Sequence, residues 1–394
     1  MSEINASNFK KEHGDLAPDL VGVTELTSPY FFVPPSGTTA ERPEDCEPGT
    51  LRFNTDVGSL EVFRGKTIGW EQIQRRESQY LGGDPANSVI TTSTNSNRGT
   101  GTRLLIFGGN TNPGNLNIIE FATVETKGNA QDFGDLTEGF PFASDGACSS
   151  NVRGLTSGAN NDNIEFVTIS SLGNAADFGN YHGNMQSGAF SNNIRGLFAG
   201  GYNPQPSIVD TIEYVTIAQT GNAVDFGNLA ASNRGMASFS STIRGIYAGG
   251  TTGAPSYANF NNIQFVTIMT TGNTSDFGDI GTAVDFCAGA SNATRGIIAG
   301  GRVDPSGAFN TIEFVTMATL GNGIDFGDLT RNGGEFSASA SRIEAVMVGG
   351  YDGSSTTNTM DFVTIATTGN AQDFGDLTGA RYHASSTTNG HGGL

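Results

Sequence analysis

Lysine is almost missing from most of this chain: residues 81–394 hold one, Lys127, among 12 Lys/Arg set against 26 Asp/Glu. The whole chain carries 20 − 39 = −19. A surface of that sign repels phosphate backbones and anionic lipid, which argues against nucleic-acid and membrane partners. Cysteine is scarce too. Cys46, Cys148 and Cys287 lie too far apart for a disulfide framework or a CxxC metal pair and read as small buried or semi-buried hydrophobes. No run reaches the ~20 apolar residues that span a bilayer, and Met1-Ser-Glu-Ile-Asn has neither the basic nor the apolar region of a signal peptide. The expectation is synthesis in a cytoplasm without leader or membrane anchor.

Glycine, by contrast, fills 56 of 394 positions, which suits many short strands and tight turns. The stretch Thr211-Ile-Glu-Tyr-Val-Thr-Ile217, followed by Gly221-Asn-Ala-Val-Asp-Phe-Gly-Asn-Leu229, recurs to the C-terminus. Copies begin at Ile119, Ile164, Ile212, Ile263, Ile312 and Met360, and each reaches an Asp-Phe-Gly 13 residues later. Successive Asp-Phe-Gly starts lie 45, 48, 51, 49 and 48 residues apart, a period that needs a stacked or ring-closed fold.

Each repeat holds four strand-like pieces: A (as in residues 235–241), B (244–250), C (263–268) and D (around 276–279). There are six B, six C and six D pieces, but only five A pieces lie between a D and the next B. The sixth A piece is the C-terminal Arg381-Tyr-His-Ala-Ser-Ser-Thr-Thr388, which has no place left except in the first repeat. That arrangement removes an open edge and predicts an all-β, six-bladed β-propeller closed by its C-terminal strand over residues 101–394.

The front of the chain is different. Residues 1–32 are polar and acidic apart from a short patch at Leu20–Leu26 and read as an extended docking arm, with Tyr30, Phe31 and Phe32 as candidate anchors at its end. Residues 33–76 alternate Leu51 and Phe53 with Arg52, then Leu60 and Val62 with Glu61, the pattern of an amphipathic hairpin. Its expected apolar face is Leu51, Phe53, Leu60 and Val62, covered by Trp70, the single tryptophan, with neighbouring copies of the chain, as in a homotrimer, completing the core. Residues 77–100, rich in Ser, Thr, Asn and Gly, form the expected linker.

Ala248-Gly249-Gly250 in piece B, with an aromatic three positions into piece C (Tyr214, Phe265, Phe314), resembles kelch repeats, although the kelch tryptophan is missing and Phe226 and Phe277 stand ready for its packing role. The wording Gly37-Thr-Thr-Ala-Glu-Arg-Pro43, Gly49-Thr-Leu-Arg-Phe-Asn-Thr-Asp56, Leu60-Glu-Val-Phe63 and Gly69-Trp70 resembles a module near the front of tailed-phage fibre and virion proteins. The repeat wording is similar to repetitive structural proteins of phages infecting marine cyanobacteria. These resemblances imply a virion protein (fibre, neck, tail or head decoration) docked to other virion proteins through residues 1–76. Its propeller would be displayed toward a host-surface glycan or protein. The alternatives are a free kelch-type interaction scaffold and, further off, a carbohydrate-active or copper enzyme on the same fold.

Asp-Phe-Gly is also a kinase motif, but a kinase needs one copy with a lysine strand and a His-Arg-Asp loop, whereas six copies here share one lysine. A turn, with Gly in a conformation other residues resist and Asp capping backbone amides, is the expected role. His13, His182, His383 and His391 show no metal spacing, and no nucleophile elbow or phosphate loop appears, so no enzyme activity, cofactor or metal is expected. Two further rings of matched positions, Glu120, Glu165, Glu213, Gln264, Glu313 and Asp361, and Arg103, Arg153, Arg195, Arg244 and Arg295, suggest repeated Glu–Arg pairing, with Glu344 reversing the sign in the last repeat.

Between B and C the insert is 9, 4, 10, 12, 10 and 9 residues, while the C-to-D span never changes. Antiparallel alternation places the B–C loops and D–A crossovers on one face. That diversified face is the expected binding face, with candidates Tyr202, Tyr257, Phe260, Arg302, Phe309, Tyr351 and Asp352.

Overall fold

A computed structural model of the chain describes residues 34–43, 46–56, 59–66, 69–72, 102–111, 114–140, 146–157, 162–183, 185–203, 205–253, 256–303 and 307–394. Tyr30, Phe31 and Phe32, the rest of the expected arm, and the expected linker 77–100 lie outside these residues. The chain divides into two compact units, 1–81 and 82–394. Apart from one 3-10 turn, Thr39–Glu41, the described regular structure is all β, and no described helix is long and apolar enough to cross a membrane.

In the first unit, strands Ser36–Gly37, Leu51–Asn54, Ser59–Phe63 and Trp70–Gln72 form one sheet in that order, the first pair parallel. The hairpin register pairs Leu51 with Val62, Arg52 with Glu61 and Phe53 with Leu60. The buried face is the opposite of the expected one. Arg52, Asn54, Glu61 and Phe63 are inside, whereas Leu51 and Leu60 are exposed and Phe53 and Val62 half-exposed. The cause is a polar network that only this face can complete. Glu61 accepts from Arg42, from Asn54 Nδ2 at 2.9 Å and lies 3.5 Å from Arg52. Arg42 foremost, then Asn54, holds the Glu61 carboxyl below its ordinary range against the opposing effect of burial. Trp70 packs over this polar face, 5.5 Å from the Phe63 ring and 5.7 Å from the Arg52 guanidinium, and its Nε1 donates to the Pro43 carbonyl.

In the second unit the repeats become six antiparallel sheets with strands in the order A-B-C-D, the fifth sheet carrying one further short strand, Arg302–Val303, on its strand C. The fourth repeat shows the pattern: Ala237–Ser240, Arg244–Ala248, Asn262–Thr267 and Ser275–Asp279. In the first repeat, strand A is Ser385–Thr388, which pairs antiparallel with Arg103–Phe107, as the strand count required. B strands carry near-continuous apolar runs because both their faces are covered; Leu104 to Phe107 are all fully buried. A strands are mostly Ala, Gly, Ser and Thr, apart from Cys148, Phe190 and Phe239, because they crowd together. Strand A of each sheet lies against strand A of the sheets before and after it, and Ser385–Thr388 lies between Ala147–Ser149 and Ser337–Ala340. Hydroxyls tie these strands: Ser191 donates to the Ser149 carbonyl at 2.6 Å, Ser240 to Ser191 and Ser291 to Ser240 at 2.7 Å. Ser149 donates to the Thr388 carbonyl at 2.7 Å and Thr388 to that of Ala340.

Asp-Phe-Gly proves to lie within strand D rather than in a turn. Its Phe is buried and meets the strand C aromatic edge-on, as in Tyr214–Phe226 at 6.1 Å and Phe265–Phe277 at 6.0 Å. Its Asp is exposed, and the capping is done by the Asn of the next sheet's Gly-Asn: Asn222 Oδ1 accepts the Asn180 amide, and Asn129 that of Asp376. The Gly, at φ of 146° to 153°, makes a bulge against which the next sheet's Gly-Asn turn closes. A Cβ on Gly227 would sit 2.3 Å from the Gly272 carbonyl oxygen. Gly227→Ala is therefore expected to lower stability by about 1–3 kcal/mol, read as the urea midpoint of the full chain, with Ala231→Ser at an exposed position as the neutral reference.

The expected pairing between the two rings does not form, although two acidic members meet arginines outside the ring, Glu120 with Arg381 and Asp361 with Arg331. The ring arginines instead donate across to the end of the next sheet's strand C, from Arg103 to the Ile169 carbonyl at 2.7 Å through Arg295 to Ile365 at 3.1 Å. Each also lies over the strand C aromatic of its own sheet at 4.3 to 4.9 Å. In the sixth sheet Glu344 binds Lys127 at 2.8 Å, and Lys127 supplies the cation over Phe362 at 4.2 Å. The acidic ring also accepts from the residue three past the Asp-Phe-Gly glycine of the preceding sheet. Thr137 N donates to Glu165 at 3.0 Å, Ala230 N to Gln264 at 2.9 Å and Gly281 N to Glu313 at 3.0 Å. Burial pushes the carboxyls of Glu165, Glu313 and Asp361 above their ordinary range.

Candidate functional site

The D–A crossovers end at matched positions two residues before strand A: Gln186, Gly235, Phe286, Glu335 and His383. All have positive φ, between 51° and 62°. Each backbone amide donates to the carbonyl of its predecessor: Gly235 to Gln186 (3.0 Å), Phe286 to Gly235 (2.6 Å), Glu335 to Phe286 (3.0 Å) and His383 to Glu335 (2.7 Å). Four non-glycine residues held in the left-handed region at one place are costly unless their surroundings over-determine them, and such strain gathers at working surfaces. The B–C loops bridge onto the same crossovers, Arg234 to Thr251, Asp285 to Arg302, Gly334 to Tyr351 and Asn110 to Tyr382. Loops and crossovers thus share one face, as expected.

On that face Phe286 is buried beneath two guanidiniums, Arg234 at 5.2 Å and Arg302 at 4.8 Å from its centroid. Arg234 also lies 5.2 Å from the Tyr202 ring and donates to Gln186 at 2.6 Å. Arg302 pairs with Glu335 and lies 3.6 Å from Asp285. Aromatic rings continue from Phe286 to His383 (5.1 Å), Tyr382 (4.9 Å) and Tyr351 (6.4 Å). Burial first, then the two arginines, drives the His383 pKa well below its ordinary value, so the ring is neutral. Two arginines then balance Asp285 and Glu335. The cluster is charge-balanced and mostly buried, and what it shows outward are the half-buried Tyr202, Arg302, Tyr351 and Tyr382, groups that hold a ligand by stacking and directed polar contacts rather than by net charge.

Of the residues expected here, Tyr202, Arg302 and Tyr351 converge on this cluster. Asp352 does not; it caps its own loop through the Ser355 and Ser354 amides at 2.8 and 2.7 Å, which hold its pKa down to about 2. Phe309 packs with Val303 against the core around Phe239 and Ile298. Phe260 is half-buried with its amide on the Gly250 carbonyl, and Tyr257 stands 57% exposed. Arg234, Asp285, Phe286, Glu335, Tyr382 and His383 went unrecognised. Their one signal is position: charged and aromatic residues directly before a run of Ala and Ser.

Between the A strands lies a cavity of about 30 Å³ lined by all six, among them Cys148, Ala189, Ser238, Ala290, Ser339 and Thr387. That holds a water or two and no organic ligand. Its mouth opposite the aromatic cluster is closed by residues 389–394. His391 Nδ1 accepts the Gly393 amide at 3.1 Å, which leaves the proton on Nε2 for the Ser149 carbonyl at 3.3 Å. Burial pushes the His391 pKa down to about 4, against 6.5 in the unfolded chain. The unfolded state therefore binds the proton first, and this contribution is complete above pH 6.5 and lost as pH falls toward 4, at up to about 1.4 kcal/mol per unit. His391→Gln is expected to be less sensitive to that interval than the parent, measured as urea midpoints at pH 7 and pH 4.5.

Among the described residues no group of three or more His, Cys, Asp or Glu side chains is placed to hold a metal ion. Neither the protein-family models nor the curated proteins include a match to this chain.

Proposed function

We propose that residues 102–394 form a closed, kelch-like six-bladed β-propeller that serves as a non-enzymatic binding head. The chain is a structural protein of a tailed-phage virion, docked to the particle through residues 1–76 and made in the host cytoplasm. The head contacts a host-surface glycan or protein, or another virion protein, through the face carrying Tyr202, Arg302 and Tyr351. The observation that carries the binding reading is the convergence of loops from separate sheets on the Phe286 cluster. Closure is supported by contacts that recur between the sixth and first sheets, where Thr378 N donates to Glu120 at 3.1 Å and Gly128 N to the Phe374 carbonyl at 2.9 Å. The virion reading rests on the wording of the hairpin and repeats.

Mass spectrometry of purified particles tests it. A fixed copy number per particle is expected, and absence from particles would leave a free kelch-type scaffold. Retention of the labelled full chain on host cells, lost in a Tyr202→Ala, Tyr351→Ala double variant that still folds, tests the face; equal retention would remove it.

A further inference from the structure

The hairpin sheet buries its polar face, with Arg52 and Glu61, and shows its apolar one. Leu51 and Val62 are cross-strand partners, as are Phe53 and Leu60, so four apolar side chains form one continuous face of the sheet. Leu51 is 45% and Leu60 38% exposed. The sheet cannot turn over to cover them, because the opposite face holds buried Glu61 with its Arg42, Arg52 and Asn54 partners. A small sheet with one open apolar face is marginal alone, and such a face marks an association surface.

We infer that this face docks against the same face of a second copy of the chain, so that the protein self-associates through Leu51, Phe53, Leu60 and Val62. Two observations favour a copy over other occupants. The rim carries one charge of each sign, Arg64 and Glu71, 3.4 Å apart and 56% and 55% exposed. A face with paired opposite charges at its edge is complementary to itself, since Arg64 of one copy can meet Glu71 of another. Second, Pro34 and Pro35 enter along the sheet edge, where the Pro35 carbonyl accepts the Phe53 amide at 2.8 Å. Proline fixes φ and keeps this lead-in extended beside the sheet rather than turned beneath its face. The inference stands on the hairpin unit and does not depend on the virion reading.

Sedimentation velocity of the full chain over a wide concentration range tests it. The parent is expected to sediment as a discrete multimer. Leu51→Ser with Leu60→Ser, both at exposed positions, is expected to weaken association by roughly 100-fold or more while the repeat unit unfolds as in the parent. A chain lacking residues 1–33 is expected to keep the multimer. A monomeric parent at every concentration overturns the inference, as does a multimer untouched by the double variant. Loss of the multimer on removing residues 1–33 alone overturns it too, because the arm would then be what associates.

Discussion

A chain ending at Ala380 is expected to lose cooperative folding of the repeat unit, with a fall in Tm of more than about 10 °C or no transition at all. The 14 residues removed are not a loose end. Ser385 to Thr388 pair with Phe107 to Leu104 across one edge and are buried, two of them completely. Ser385 Oγ lies 2.7 Å from Thr156 Oγ1 in the second sheet, and Thr388 donates into the sixth. Without them the backbone of the strand Arg103–Phe107, buried from Leu104 onward, has an open edge, and each uncovered amide and carbonyl loses its partner. Arg381, wholly buried on Glu120, leaves with them. A second truncation, ending at Thr388, separates the strand from the tail. It removes His391 from the cavity between the A strands but leaves the pairing, and is expected to keep a cooperative transition. Equal unfolding of parent and longer truncation, followed by circular dichroism, would mean that the first sheet does not need its C-terminal strand and would undo the proposed ring.

The strand inventory of the repeats was legible because it rests on counting. A fixed 13-residue span and six copies leave one strand A unaccounted for, and no packing detail can change that arithmetic. Sharing of one face by loops and crossovers followed from the alternation of strand direction. What pairs with what was not legible. Matched Glu and Arg columns suggest mutual pairing, but each side chain meets the backbone of an adjacent sheet, and carbonyls and amides carry no sequence signature. Lys127 shows the same limit. Its rarity was plain, yet its place over Phe362 depends on the turn after strand C of the first sheet reaching the sixth.

The hairpin failed in a different way. Alternation with a period of two identifies two faces, and the usual choice puts the apolar one inside. Here Arg42, outside the hairpin strands, completes the partners of Glu61, and a polar face whose buried charges are paired can be the covered one. The crossover cluster escaped because its members share a backbone position and not a residue type. Gln186, Phe286, Glu335 and His383 are alike in φ alone.

Glu120→Ala is expected to cost about 3–5 kcal/mol, a large share of the stability of an ordinary domain. Arg381 has no exposed surface, and its Nη2 lies 2.5 Å from Glu120 Oε2, with Nη1 donating to the Gly108 carbonyl at 3.3 Å. Removing the carboxylate leaves a guanidinium that cannot shed its proton inside the protein. The same carboxylate also accepts the Thr378 amide and hydroxyl, so the variant frees a second link across the junction between the last sheet and the first. A merely local pair and a junction-holding pair predict different partners for rescue. If burial of an unpaired charge dominates, Glu120→Ala with Arg381→Met recovers most of the loss, because an apolar side chain of similar length fills the space without a charge. If the Thr378 link dominates, Glu120→Gln recovers more than the double variant, since its amide oxygen still accepts from Thr378. The buried-charge term is the larger by magnitude, about 3–5 against about 1 kcal/mol for a neutral hydrogen bond. The double variant is therefore expected to unfold at the higher urea midpoint of the two, and the reverse order would assign the strength of this junction to Thr378.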